Sequence, residues 1–141
     1  TFAKQIALAE AGHVPPVIKV GNLKSLRTIA DVRDAVRAYY LLVTVKPIPG
    51  EYYNIGGNFS IEVSSILDFL IKLSPLKSDL KVEVDPERLR PIDADLQVPC
   101  TEKFEEHTGW KPEFSFEQTM TDLLNYWRER VSSRGNCFLI R

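Results

Sequence analysis

Between Val20 and Leu42 the chain passes from an extended piece, through a Gly-Asn turn, into a helical repeat. Val32, Ala35, Val36, Tyr39 and Val43 recur at steps of three and four, so they share one side of a helix, while Arg33, Asp34 and Arg37 fall on the other. Asp31 suits the N-cap of that helix, because its carboxylate can accept the orphan amide protons of the first turn. Lys46-Pro47 stops it, and KPIPGE reads as a breaker-rich loop. Arg27 therefore lies on the segment that feeds a helix start, where side chains commonly meet ligands.

The same reading divides the rest of the chain. Phe2, Ile6 and Ala9 share one face of an earlier helix, which Gly12 ends through a left-handed cap. His13 to Pro16 is a turn, and Val17 to Val20 a short strand. Glu51 to Ile55 has aromatic and β-branched strand character and closes on Gly56-Gly57-Asn58. Ser60 is placed to cap a helix with the stripe Val63, Ile66, Leu67, Leu70 and Leu73. Lys81 to Val84 alternates as a half-buried strand does. Asp85 to Gln97 is irregular, rich in charge and stiffened by Pro86 and Pro91. Thr101 caps a short helix ending at Gly109. Ser115 and Gln118 form a capping box ahead of a last long helix carrying Met120, Leu123, Leu124, Trp127 and Val131. SSRGNCFLIR shows no helical period, and its apolar end either docks on the body or trails as a tail. The class is α/β, mostly helices with a few short strands, too few for a full doubly wound sheet.

Composition narrows the function classes. The 141 residues are 44% apolar and 26% charged with a formal net charge of −1, which fits one ordinary folded domain. Such a balance makes no electrostatic case for nucleic-acid or membrane binding. No apolar run approaches the roughly 20 residues of a membrane span, and no signal peptide is visible. Cys100 and Cys137 do not make a disulfide framework, so a reducing, cytoplasmic setting is expected. The chain begins without Met, inside a helical pattern, as a piece of something longer would.

Among candidate chemistries, G-x-G-x-x-G and Tyr-x-x-x-Lys are both absent. Tyr126 and Arg130 approach the second pattern, but arginine cannot replace a titratable lysine. The amides of Ile55-Gly56-Gly57-Asn58 either meet a phosphate or make an ordinary turn. His13, His107 and the cysteines lack zinc spacing, so Cys100 is expected as a buried small residue and His107 as a surface one. In Glu87-Arg88-Leu89-Arg90-Pro91-Ile92-Asp93, Pro91 forces Arg90 into extended backbone, and Asp93 could accept donors from a ribose or base. Arg27 and Arg90 together could clamp a diphosphate through paired guanidinium hydrogen bonds. The alternative is a surface ion pair at Arg27 and an exposed salt-bridged loop around Arg90.

Five motifs in order then carry a resemblance: V-G-N-L-x-S-x-R with D-V-R-D-A-V-R-A-Y-Y, G-E-Y-Y-N-I-G-G, V-E-V-D-P-E-R-L-R-P-I-D, T-G-W-K-P, and F-E-Q-T-x-x-D-L-L-x-Y-W-R-E. From Thr1 to Val131 the chain resembles the C-terminal part of the extended short-chain dehydrogenase/reductase superfamily. Within it, the chain is similar to GDP-mannose 4,6-dehydratase and its sister, GDP-4-keto-6-deoxy-mannose reductase. That resemblance implies a nucleotide-sugar-binding part (1–131) and a tail (132–141), with the Rossmann core, the NAD or NADP site and the catalytic residues elsewhere. It implies a GDP-sugar substrate, an N-terminal Rossmann half as partner, a homo-oligomer at full length, and no cofactor, metal or catalysis on this chain alone. Arg27 would contact the diphosphate, and Arg90 with Asp93 the nucleotide end. The family carries an Asp directly after the arginine matching Arg27, where this chain has Thr28. Asn54 matches an asparagine of the thymidine-sugar dehydratases, which leaves the base open. A stand-alone binding module is the reading from another class. An enzyme part should expose the apolar faces that meet its other half, and a module should cover them.

Overall fold

The computed structural model describes residues 1–45, 47–57, 60–89 and 96–134. In chain order these make α1 (Phe2–Glu10), β1 (Val17–Val20), β2 (Leu26–Thr28), α2 (Val32–Thr44), β3 (Ser60–Glu62), α3 (Val63–Lys72), β4 (Lys81–Val84), β5 (Leu96–Gln97), α4 (Glu102–Thr108) and α5 (Phe116–Arg134). A single 3₁₀ turn, Pro86–Arg88, follows β4. The strands form two small sheets: β1 beside β4, and β2 between β3 and β5. β1 and β4 run parallel, β2 and β3 antiparallel, and β2 and β5 parallel.

The main core lies where α1, α3 and α5 pack over β1. Ile6, Ile18, Val20, Leu67, Leu70 and Leu124 meet there, each at most 2% exposed. Burying such side chains contributes roughly 1.5–3 kcal/mol apiece. Polar groups finish the layer. The Gln5 side chain donates to Lys19 O (3.0 Å) and accepts from Lys19 N (2.9 Å), so it serves β1 as a neighbouring strand would. Arg128 binds Glu10 through two parallel hydrogen bonds of 2.7 and 2.8 Å and also donates to Leu73 O at 3.1 Å, tying α5 to α1 and α3.

α2 stands apart from this arrangement. An amphipathic helix of a closed domain turns its apolar side inward. Here Asp34 and Ala38 are buried (1% exposed each), while Val32, Val36, Tyr39, Tyr40 and Val43 are 59–73% exposed. Ala38 packs with Phe104 and Trp110, and Asp34 is fully engaged by the Trp110–Phe114 segment, as detailed below. The charged side is thus inside and the apolar stripe outside.

Several local expectations hold and several are corrected. α1 ends with Gly12 at φ 72°, and His13 N donates to Leu8 O while Gly12 N donates to Ala9 O, a Schellman closure. Asp31 caps α2 by accepting Arg33 N at 2.8 Å. Ser60 does not cap α3: it lies in β3, its hydroxyl 2.9 Å from that of Thr28, and the helix starts at Val63. Glu51 to Ile55 is not a strand, because among the described residues no neighbour pairs with it. β4 is a strand, yet Val82 and Val84 are exposed rather than half-buried. Gly57 is required by a close approach, since a Cβ there would fall 1.7 Å from Ile29 O. That contact accounts for the glycine without a phosphate.

Candidate functional site

Parallel pairing of β1 and β4 sends both chains out of the sheet at the same end. Val20 sits opposite Val84, and Asp85 N extends the ladder by donating to Val20 O at 2.8 Å. Asp85 then holds the 3₁₀ turn: one carboxylate oxygen accepts Glu87 N (3.1 Å) and the other accepts Arg88 Nε (3.1 Å). Gly21 faces this turn so closely that a Cβ would lie 2.5 Å from Arg88 O. Carboxyl ends of parallel strands are where open α/β sheets present ligand crevices.

A cleft of about 650 Å³ opens at this point. Ile66, Leu70 and Met120 form apolar wall, and Lys19, Glu87 and Arg88 supply charge. Apolar wall with a few convergent polar groups suits a flat ring or sugar joined to an anion. The guanidinium of Arg88 is aimed by Asp85, so its direction is set before any ligand arrives.

The residues read from sequence fall unevenly around this cleft. Arg27 sits in β2, partly buried, opposite Ile61 of β3 and Gln97 of β5, with Nη1 donating to Leu26 O at 3.1 Å. It is not among the described residues lining the cleft, although Ile29, two positions on, is. Thr28 is turned to Ser60, the two hydroxyls 2.9 Å apart. Arg90 and Asp93 lie outside the described residues. Sequence reasoning missed Lys19 and Arg88. Arg88 stood in the same charged run as Arg90, but nothing in the run indicated that β4 would pair with β1 and deliver it to this crevice.

The remaining candidates resolve into packing. His107 stacks on Tyr53, ring centroids 5.2 Å apart. Cys100 is exposed rather than buried, its Sγ beside Glu102, because it precedes the first turn of α4 on an open loop. Cys137 lies outside the described residues. Arg130 donates to the Tyr126 hydroxyl at 2.9 Å on the surface of α5. Among the described residues no group of His, Cys, Asp and Glu could hold a metal ion, and no helix is long and apolar enough to cross a membrane.

Comparison with known proteins identifies the scaffold. The family model described as GDP-mannose 4,6 dehydratase matches residues 1–123. GDP-6-deoxy-D-mannose reductase of Pseudomonas aeruginosa is 26% identical over 92% of this chain and 41% of its own length. Human dTDP-D-glucose 4,6-dehydratase is 31% identical over 82% of this chain and 33% of its own. Among solved structures, RMD from Pseudomonas aeruginosa complexed with NADPH superposes with a TM-score of 0.78 at 25% identity, covering 92% of this chain and 42% of that one. The fold also matches UDP-glucose 4-epimerase from Thermotoga maritima (TM-score 0.75, 20% identity, 92% of this chain and 38% of that one). The chain spans about two fifths of the length of such relatives. With a family match over residues 1–123, this helix-rich α/β chain belongs to the GDP-mannose 4,6 dehydratase family of nucleotide-sugar dehydratases and reductases.

Proposed function

We propose that the chain is the nucleotide-sugar-binding portion of a two-part, NAD(P)-dependent 4,6-dehydratase acting on GDP-mannose, inactive by itself. The observation that carries this reading is the cleft at the carboxyl ends of β1 and β4, on a chain whose family match runs through nearly all of it. Its apolar wall takes the base or sugar, and Arg88 and Lys19 face the anion. Arg27 approaches the diphosphate from β2, and Arg90 with Asp93 holds the nucleotide end. Residues 1–131 form this portion, and 132–141 a tail.

The nicotinamide cofactor belongs to the other portion. This chain offers no glycine-rich dinucleotide loop and no Tyr-x-x-x-Lys pair, and its Gly56-Gly57 is packed against Pro99 and the Ile29 carbonyl. What these residues contribute is binding and orientation of the sugar nucleotide. The outward apolar side of α2 favours an enzyme part over a stand-alone module, which would have covered it. A cytoplasmic setting and a homo-oligomer at full length complete the reading.

The 4-keto reductase is the second reading, favoured by the Pseudomonas aeruginosa relative that aligns over 92% of this chain. Calorimetric titration with GDP, GDP-mannose and dTDP-glucose tests the substrate class. GDP compounds are expected to bind, and Arg27→Ala, Arg88→Ala and Arg90→Ala each to weaken them. Preference for dTDP-glucose would move the chain to the thymidine-sugar branch. GDP binding untouched by all three substitutions would overturn the site.

A further inference from the structure

Three charged side chains line the cleft at the ends of β1 and β4, and the function proposed above uses only two of them, Arg88 and Lys19. Glu87 is the third. A site for a diphosphate alone has no use for it, because a carboxylate repels the anion that the two cations attract. Its place is nevertheless fixed by the backbone. The Glu87 amide donates to Asp85 at 3.1 Å, and Gly21 packs so tightly on the same turn that a Cβ would lie 2.5 Å from Arg88 O. The carboxylate itself has no hydrogen-bond or ion-pair partner among the described residues.

Glu87 and Arg88 are consecutive in a 3₁₀ turn, Pro86–Arg88, and such a turn has three residues per revolution, so their side chains leave it about 120° apart. Arg88 is drawn back to Asp85 at 3.1 Å, and Glu87 leaves in another direction. The cleft thus has a donor end and an acceptor end over one apolar wall, Ile66, Leu70 and Met120. An ionised carboxylate only accepts hydrogen bonds. Among the described residues it has no further His, Cys, Asp or Glu beside it to make a metal site. What satisfies it against an apolar wall is a flat ring that brings N–H donors on one edge.

We propose that Glu87 selects the base: its two carboxylate oxygens accept the ring N–H and the exocyclic amine of guanine side by side. This rests on the nucleotide-sugar reading above and names the residue that decides which nucleotide the cleft takes. Guanine places two adjacent donors on that edge and so matches a carboxylate with two parallel hydrogen bonds. Thymine and uracil offer a single N–H flanked by two carbonyl oxygens, which a carboxylate repels. Adenine sets a bare ring nitrogen beside its amine, which is repelled as well. The same charge therefore attracts one base and rejects the others, so selection does not depend on the size of the cleft.

The test titrates the chain with GDP, with inosine diphosphate, which lacks only the exocyclic amine, and with dTDP. The natural chain is expected to favour GDP about tenfold over inosine diphosphate and about a hundredfold over dTDP. Glu87→Ala should bring the three affinities together by weakening GDP most. Glu87→Gln, whose amide pairs equally with the N–H and neighbouring carbonyl of guanine, hypoxanthine or thymine, should erase the preference for GDP and admit dTDP. Arg88→Ala should weaken all three by the same factor, because the diphosphate is common to them. Glu87 is exposed and only its amide holds the turn, so both of its variants should melt as the natural chain does. A GDP to inosine diphosphate ratio unchanged by both Glu87 variants would overturn the inference and leave the nucleotide-sugar reading standing. Preference of the natural chain for dTDP would overturn it too, and failure of all three nucleotides to bind would overturn the reading along with it.

Discussion

The amide of Glu113 lies 3.1 Å from both carboxylate oxygens of Asp34, 79 positions earlier in the chain. Phe114 N donates to the same carboxylate at 3.2 Å, Trp110 Nε1 donates to the Asp34 carbonyl at 3.2 Å, and Arg37 adds an ion pair at 3.0 Å. One buried side chain thus turns α2 charged side inward and pins it to the loop that leads into α5. The cost of removing the carboxylate from water is offset by three donors, Glu113 N, Phe114 N and the Arg37 guanidinium, and Ala38 adds apolar packing against Phe104 and Trp110.

Asp34→Ala is expected to destabilise the fold by about 3 kcal/mol, since it strands the buried amides of Glu113 and Phe114. The readout is the urea midpoint at unchanged slope. Asp34→Asn, which keeps an acceptor, should cost clearly less.

Val36→Asp and Ala38→Asp, two residues apart on one helix, should behave oppositely. Val36 is 59% exposed and Ala38 1%. The first should leave the melting temperature of this chain nearly unchanged, within about 0.5 kcal/mol, and raise its solubility. The second buries an unpaired charge against Phe104 and Trp110 and should abolish cooperative melting.

Gly57→Ala places a methyl where Ile29 O stands, 1.7 Å from the new carbon. The connection between β2 and α2 must then move, at a cost on the order of 3 kcal/mol. Because Ile29 lines the cleft, the nucleotide-sugar binding proposed for it should weaken in parallel with stability.

Acid should expose the α2–α5 junction first. The Asp31 carboxyl is held far below its ordinary value of 3.8, chiefly by the Arg33 guanidinium, with burial opposing and the Arg33 amide and Thr119 hydroxyl adding to the effect. A depressed folded-state pKa contributes stability that is fully present above the ordinary value and lost as the pH falls below it toward the folded one. Melting temperatures followed from neutral pH down to about pH 2 should fall more steeply for the natural chain than for Asp31→Asn. Equal slopes would show that Asp31 is not the group responsible.

Much of the fold could be read locally. Asp31 as a cap, Gly12 and Gly109 as stops, β1, and the stripes of α3 and α5 depend on backbone chemistry within one or two turns, so near neighbours in sequence suffice to specify them. The family was equally legible: the resemblance read from short motifs along the chain agrees with the family match over residues 1–123. Three things needed the tertiary structure. Which side of α2 faces inward was decided by donors 76 to 80 positions away, which outweigh local amphipathicity. Whether Glu51 to Ile55 becomes a strand depends on a neighbour, since a strand is stabilised only by pairing. And the cleft exists because β1 and β4, more than sixty positions apart, pair in parallel and release Gly21 and Arg88 at one end. Local sequence determines the elements; the identity of the crevice residues follows from long-range pairing, which leaves no period in the chain to be read.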